Sequence, residues 1–191
     1  MTFRLGFVTG STPDKWARTW RDRSRERLEL VPLSEEEQER SLRDGDVDMA
    51  IVRLPVDRDG LHLIRLYDEV PVVVLAREHY LSLAEEVSLA ELAEEQLVLP
   101  HRSGWTPAVE QLAWPEMDEK EAVETVAAGT GIAILPMSVA RLHHRKDVVH
   151  RPVADLEPTA VGLAWRVDHD DERTQAFVGI VRGRTANSSR R

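Results

Sequence analysis

The chain has 191 residues, of which 42% are hydrophobic and 31% charged, and its formal net charge is -9 at pH 7. This composition predicts one globular unit or two small lobes that share a core. The absence of cysteine excludes disulfides, thiolate metal sites and a cysteine nucleophile, and no apolar run reaches the roughly 18 residues that a membrane-spanning helix needs.

The first elements that the sequence predicts are a strand, a loop and a helix. The apolar run from Phe3 to Val8 predicts a buried strand. Thr12 and Pro13 then supply a predicted N-cap and a first helical residue. Three bulky or apolar side chains fall on one face of this helix, namely Trp16, Ala17 and Trp20.

The same alternation continues through the first third of the chain. Residues 28–33 predict a second strand, and Ser34 with Glu37 forms a capping box for a second helix that Gly45 ends. Residues 49–52 form a continuous apolar strand of the kind that is buried on both faces of a parallel sheet. Strand, helix, strand, helix, strand in this order predicts a doubly wound sheet.

The middle of the chain is predicted to contain two more strands. Residues 71–76 (PVVVLA) form another buried strand, and residues 96–100 (QLVLP) return to strand. Between them, Ser88 with Glu91 predicts a capped short helix. Its apolar positions are Leu89, Leu92 and Ala93.

The last third is predicted to be helix, strand, strand and helix. Residues 118–128 have apolar side chains at helical spacing, and Gly129 and Gly131 release the chain into the apolar strand 132–136. A further strand carries Val161, Leu163 and Trp165. The last helix is predicted to bury Ala176, Phe177, Ile180 and Val181.

Strands of similar composition on both sides of two points predict that the chain crosses between lobes near 74–77 and again near 158–162. We therefore expect a first lobe formed by residues 1–75 and 159–182, a shortened second lobe formed by residues 76–158, and a disordered tail over 183–191. Two crossings predict a cleft between the lobes.

Four segments in order resemble the effector-binding domain of LysR-type bacterial transcription regulators. They are Ser41–Arg53 (SLRDGDVDMAIVR), Leu66–Leu81 (LYDEVPVVVLAREHYL), Ser88–Pro100 (SLAELAEEQLVLP) and Val126–Pro136 (VAAGTGIAILP). The resemblance implies an α/β fold of the type 2 periplasmic-binding-protein kind, with two Rossmann-like lobes, mixed sheets and an interlobe cleft. It also implies a small-molecule effector, a homodimer, a cytoplasmic location and no catalytic residues.

Three features depart from the family's pattern. The first sensor strand follows Met1 almost at once, where the family begins with a winged helix-turn-helix, so we expect no direct DNA contact by this chain. The stretch from Ser103 to Asp118 is shorter than usual, which puts the second lobe's half of the pocket in doubt. Tyr80 stands after His79, where the family usually has proline.

Ligands of open parallel sheets bind beyond the carboxyl ends of the strands, where hydroxyls and helix-start amides suit an anion. The loops that follow the predicted strands, together with the start of the helix before Gly129, supply the candidate ligand-binding residues. These are Thr9, Gly10, Ser11, Thr12, Arg53, His101, Arg102, Ser103 and Asp118. We therefore expect a small anionic effector and neither a cofactor nor a metal.

Several of these residues have simpler explanations. Ser11 or Thr12 serves only as a helix cap in one alternative, Arg53 pairs with Asp57 or Asp59 on the surface in another, and Asp118 is an ordinary N-cap in a third.

Other polar and aromatic groups have competing interpretations as well. The adjacent His143 and His144 are predicted to be solvated, and the acidic run 168–172 to cap the last helix. Trp105 and Trp114 either line a pocket or fill the shortened lobe.

Three functions are compatible with the sequence. The first is an effector sensor, and the second is a small hydrolase-like or isomerase-like enzyme that uses His101 as a general base. The third is a truncated module that only dimerises. A carboxylate that orients His101 would favour the enzyme.

Overall fold

A computed structural model describes residues 2–99 and 103–183 of the chain. The strands are β1 (Thr2–Val8), β2 (Arg27–Leu33), β3 (Met49–Arg53), β4 (Leu61–Glu69), β5 (Pro71–Ala76), β6 (Ala133–Pro136), β7 (Val148–Pro152) and β8 (Thr159–Arg166). The α-helices are α1 (Asp14–Arg23), α2 (Gln38–Arg43), α3 (Glu119–Ala127), α4 (Met137–Leu142) and α5 (Glu172–Val181). Two short 3₁₀ helices cover Tyr80–Leu83 and Val167–His169.

The chain divides into two compact units. The first unit is Met1–Tyr67 with Ala160–Arg191, and the second unit is Asp68–Thr159. The first division therefore lies earlier than the crossing expected near 74–77, because β5 pairs with β6 and β7 rather than with the sheet of the first unit. Apart from Gly183, the tail expected to be disordered lies outside the described residues.

The described strands of the first unit form a five-stranded mixed sheet in the order β2, β1, β3, β8, β4. β1 pairs in parallel with both β2 and β3, as the alternation of strand and helix predicts. β8 returns from the far end of the chain and pairs antiparallel with β3. The sequence pattern of the first three strands is thus confirmed, and the sheet is mixed rather than wholly parallel.

Both faces of the first sheet are covered. Phe3, Met49 and Ile51 belong to a cluster that also contains Trp20 of α1 and Phe177 of α5. Side chains that alternate with these along the strands form another cluster with α2, whose members are Leu33, Leu42, Val47, Ala50, Val52, Leu61 and Ala164. Coverage of both faces explains why β3 is apolar at every position but its last.

Two helix details of the first unit differ from the prediction. The carbonyl of Pro13 accepts the first helical bond from the Ala17 N–H, so Pro13 rather than Thr12 is the N-cap of α1. In α5, Thr174 is buried and Ala176 is exposed. The burial of Thr174 follows from a capping box with the N-cap Asp171, in which the side chain of each residue accepts a hydrogen bond from the backbone N–H of the other.

The second unit contains a three-stranded antiparallel sheet in the order β6, β5, β7. One cluster joins Val72 and Val74 to α3 and α4, and another joins Val73 and Leu75 to the segment around Leu92. Trp114 packs against the first cluster and Trp105 against the other. Both tryptophans therefore contribute to the packing of this unit.

Two elements predicted for the second unit are wrong. Residues 88–95 form successive turns with bonds between residues three apart, although the predicted Ser88–Glu91 box is present. Residues 96–99 make only a bridge, between Leu97 and Ile132. A side chain takes the place of a further strand, because the Leu97 N–H donates to Oε1 of Gln111 at 2.7 Å.

Among the residues that the structure describes, no helix has the length and apolar character required to cross a membrane.

Candidate functional site

The loop that follows β1 contains a buried hydroxyl without a partner. The Ser11 N–H donates to the Val8 carbonyl at 3.0 Å, which closes a turn that Gly10 completes with a φ of 89°. Ser11 is only 6% exposed, and its Oγ has no hydrogen-bond partner among the described residues. Thr12 is exposed. Buried polar groups are nearly always hydrogen-bonded, so Ser11 calls for an explanation.

Arg53 holds this loop from the end of β3. Its side chain is 3% exposed. Nη2 donates to the carbonyl of Thr9 at 3.1 Å, and Nη1 lies 3.3 Å from Oε2 of Glu35. β1 and β3 are parallel neighbours, so the sheet brings the Thr9 loop and Arg53 together as the sequence predicts.

Gln38 fixes the backbone of Arg53. Its Nε2 donates to the Arg53 carbonyl at 2.9 Å, and the Arg53 N–H donates to its Oε1 at 2.8 Å. Gln38 is buried, and its amide thus satisfies both backbone polar groups of Arg53. Sequence reasoning missed both Glu35 and Gln38, although Gln38 lies three and four positions before the buried Ser41 and Leu42 on the face of α2.

The surface alternative for Arg53 is wrong. Asp57 and Asp59 bond instead to Arg43 of α2, whose Nη2 lies 3.2 Å from the Asp57 carboxylate and whose Nη1 donates to the Asp59 carbonyl at 2.9 Å. Two arginines therefore anchor two different loops. Arg53, at the end of β3, holds the loop after β1, and Arg43, at the end of α2, holds the loop after β3.

The remaining candidates belong to the second unit. His101 and Arg102 lie outside the described residues. The Ser103 hydroxyl bonds to the backbone N–H and carbonyl of Trp105, both at 3.2 Å. Asp118 is the N-cap of α3, where it accepts from the Glu121 N–H at 2.8 Å in a capping box. The cap accounts fully for an acidic residue at this position.

The two adjacent histidines predicted to be solvated differ in exposure, since His144 is exposed and His143 is half-buried. Both line a cavity of about 230 Å³, together with Lys120, Glu124 and Arg145. The Arg145 guanidinium hydrogen-bonds Asp147 and lowers the pKa of that carboxyl to about 2. Within residues 2–99 and 103–183, no group of three or more His, Cys, Asp or Glu side chains could hold a metal ion.

Comparison with known proteins decides the family. The family described as LysR substrate binding domain matches residues 17–186. The chain belongs to this family.

Among curated proteins, this LysR-type domain is similar to the Hca operon transcriptional activator HcaR of Escherichia coli K12, with 29% identity over 174 residues that cover 84% of this chain and 58% of HcaR. It is 24% identical to the regulator AlsR of Bacillus subtilis over 168 residues, which cover 81% of this chain and 55% of AlsR. The chain thus spans about half the length of these relatives.

Solved structures of the same fold include two effector or regulatory domains. The BenM effector-binding domain with its effector benzoate has a TM-score of 0.76 at 19% identity, covering 95% of this chain and 90% of BenM's domain. The reduced OxyR regulatory domain of Pseudomonas aeruginosa has a TM-score of 0.73 at 20% identity, covering 95% of each chain. The expected type 2 periplasmic-binding-protein-like fold with mixed sheets is therefore confirmed.

The cap at Asp118 gives a testable prediction for the second unit of this LysR-type domain. Asp118→Ala should lower the free energy of unfolding by about 1 kcal/mol, because the Glu121 N–H loses its acceptor. Urea denaturation measures this loss. Asp118→Asn keeps a capping oxygen and should stay within a few tenths of a kcal/mol of the parent; an equal loss in both variants would contradict the capping role.

Proposed function

We propose that this chain is the effector-binding part of a LysR-type transcription regulator and that the loop Thr9–Thr12 binds the carboxylate of a small anionic effector. The buried Ser11 hydroxyl carries this proposal. An unmade hydrogen bond at a buried donor costs about 1–3 kcal/mol, which a bound acceptor would return. A carboxylate oxygen is such an acceptor, and the backbone amides at the start of α1 favour a negative charge as well.

The contacts around Arg53 support this role for the loop. The Thr9 carbonyl is held by a side chain that is itself buried, paired with Glu35 and fixed through its backbone by Gln38. The loop is therefore prearranged, and preorganisation reduces the entropy that binding costs. His101, Arg102 and Ser103 remain candidates from the sequence for the rest of the site.

The family supports the regulatory half of the proposal. HcaR and AlsR are named as transcriptional regulators, and both are longer than the segment that this chain matches. In our proposal DNA is contacted by other parts of the regulator or by a partner. The effector-binding part acts in the cytoplasm as a homodimer.

The enzyme alternative has less support. A serine nucleophile needs a general base within about 2.6–3.2 Å of its hydroxyl. Ser11 Oγ has no such partner among the described residues. His101, the general base of the alternative hypothesis, lies outside the described residues.

Ser11→Ala should weaken effector binding about tenfold, since a hydrogen bond to a charged group is worth roughly 1.5 kcal/mol or more. A panel of small organic acids, including benzoate, is first screened against the parent protein by thermal shift, because a ligand that binds only the folded state raises its melting temperature. Hits are then titrated calorimetrically against parent and variant.

Ser41→Ala is the matched control for this titration. Ser41 is as buried as Ser11, at 6% exposure, but lies on α2. Its substitution should leave the affinity unchanged. Equal affinities of Ser11→Ala and the parent for every hit would contradict the assignment of Ser11, and a panel without any hit at millimolar concentration would contradict the sensor.

A further inference from the structure

We propose that the second unit has two complementary surfaces through which copies of this chain bind one another head to tail. The first is an acidic loop, residues 83–86, which presents Leu83, Glu85 and Glu86. The second is a basic surface, formed by Lys120 and residues 141–146 around the cavity at the two histidines. The inference goes beyond the proposed function, since it uses no residue of the Thr9–Thr12 loop.

Charge is unevenly distributed along the second unit. Residues 141–151 (RLHHRKDVVHR) contain four Arg or Lys and three His against one Asp, whereas residues 83–95 (LAEEVSLAELAEE) contain five Glu and no basic residue. The whole chain has a formal net charge of -9. A cationic surface on so acidic a protein is complementary to the acidic surface of another copy, which makes a second copy the partner that the charges favour.

The basic surface combines cationic and apolar side chains around a cavity of about 230 Å³. Val123 and Leu142 are its apolar lining residues, and Leu142 is 60% exposed. Glu124 also lines the cavity, and Asp147 forms a salt bridge with Arg145, so these two carboxylates offset part of the positive charge. The remaining positive charge comes from three exposed cations, namely Lys120, Arg141 and Lys146.

The cations of this segment lie close together in the fold. Burial lowers the pKa of His150, and so do the nearby positive charges of Arg141, Arg151 and His144. The basic stretch of the sequence is therefore one patch in space rather than a series of separate charges.

The acidic loop presents an apolar side chain next to two carboxylates. Leu83 is 92% exposed, the highest value among the exposed large hydrophobic side chains of the described residues. Glu85 and Glu86 are exposed beside it. A single exposed leucine is common on protein surfaces, but here it stands beside charges that the basic surface attracts.

The two ends of the acidic loop are fixed to β7 and its continuation. Arg151 donates to the Ser82 carbonyl at one end. At the other end the Val87 N–H donates to the Pro152 carbonyl at 2.9 Å, and Val87 forms a bridge with Val153. A loop that is held at both ends loses little conformational entropy when it binds.

The acidic loop and the basic surface belong to opposite faces of the second sheet. Leu81 and Val87, which flank the loop, pack in the cluster of Val73 and Leu75. Val123 of the cavity packs in the cluster of Val72 and Val74. Neighbouring residues of a strand point to opposite faces, so two copies related by a two-fold axis cannot make both contacts at once. The contact is therefore head to tail, and each assembly keeps one free loop and one free basic surface unless it closes into a ring.

In the proposed contact, Leu83 of one copy enters the cavity of the next copy and packs against its apolar lining residues. The two carboxylates of the acidic loop then lie against the lysines of the basic surface. Burial of an exposed aliphatic side chain favours association, and the charges around it determine orientation and specificity. The association should therefore depend on both Leu83 and ionic strength.

Sedimentation velocity of the full chain measures this association. At about 50 mM sodium chloride the weight-average sedimentation coefficient should rise steadily with protein concentration, and at about 500 mM the rise should be much smaller, because salt screens the charges. Leu83→Ala should weaken the association about tenfold, since the burial of most of a leucine side chain is lost.

A pair of charge reversals tests whether these two surfaces meet. One variant reverses the acidic loop (Glu85→Lys with Glu86→Lys), and the other reverses the basic surface (Lys120→Glu with Lys146→Glu). Each variant alone should associate at least about tenfold more weakly than the parent, because like charges then face each other. An equimolar mixture should recover the association, since opposite charges then meet at every contact.

Glu110→Lys with Glu157→Lys is the matched control. Both glutamates are exposed, lie in the second unit outside the two surfaces, and change the net charge as much as the reversed acidic loop does. This control should associate at least as strongly as the parent. A constant sedimentation coefficient of the parent, reversed variants that behave like the control, or a mixture that does not associate would each overturn the inference. None of these results affects the Ser11→Ala titration, which tests the proposed function separately.

Discussion

Trp20→Ala should lower the free energy of unfolding by about 3–5 kcal/mol, which is a large share of the roughly 5–15 kcal/mol that stabilises a typical domain. The Trp20 ring stacks on Phe3 with a centroid separation of 4.9 Å and lies 5.8 Å from Phe177. Its Nε1 donates to the Glu26 carbonyl at 2.9 Å. Alanine would leave a cavity among these rings and remove the bond that joins α1 to the start of β2.

Urea denaturation followed by circular dichroism measures this loss. Leu83→Ala is the control, since Leu83 is 92% exposed and its truncation should change the free energy by no more than about 0.5 kcal/mol. A Trp20→Ala protein that lost less than 1 kcal/mol would show that the aromatic cluster does not form the core of the first unit.

Gly131→Ala should destabilise the second unit by roughly 3 kcal/mol, through backbone strain and the loss of two hydrogen bonds. Gly131 has a φ of +150°, and a Cβ there would lie 2.5 Å from the backbone carbonyl oxygen of Gln96. That oxygen accepts from the Ile132 N–H, and the Ile132 carbonyl accepts from the Val98 N–H, both at 2.8 Å. Relief of the clash requires these two hydrogen bonds of the Leu97–Ile132 bridge to break.

The Gly129→Ala variant distinguishes the free-energy cost of backbone strain from the cost of a steric clash. Gly129 also has a positive φ, +77°, but no atom lies within 4 Å of an added Cβ. Its cost should be about 1–2 kcal/mol, the penalty for an L-residue in the left-handed region. Thermal or urea unfolding of the two variants gives the comparison, and equal losses would contradict the close approach of Gly131 to Gln96.

The strands that the sequence predicts best are those buried on both faces. β3 and β5 are continuous apolar runs because sheet faces on both sides are covered, and local pattern alone reveals this. The structure of residues 88–95 is harder to predict from the sequence, because capped turns and a short helix share the same spacing of apolar residues. The Leu97 N–H donates to the side chain of Gln111, which lies 14 residues away and leaves no local signal in the sequence.

Half of the first-unit site is visible in the sequence. Thr9, Ser11 and Arg53 follow strands that were predicted to be parallel neighbours, so topology brings them together. Glu35, in the turn before α2, has no signal in the sequence, and Gln38 has only its spacing to Ser41 and Leu42, because polar residues at such positions are typical of a solvent-exposed surface. Only the tertiary fold shows that Gln38 is buried against the end of β3 and that Glu35 pairs with Arg53.

A crystal structure of the protein with the tightest-binding acid from the panel tests the sensor most directly. The proposal predicts an effector carboxylate oxygen about 3 Å from Ser11 Oγ. An effector bound with its carboxylate away from the Thr9–Thr12 loop, and with the Ser11 hydroxyl still unpaired, would contradict it.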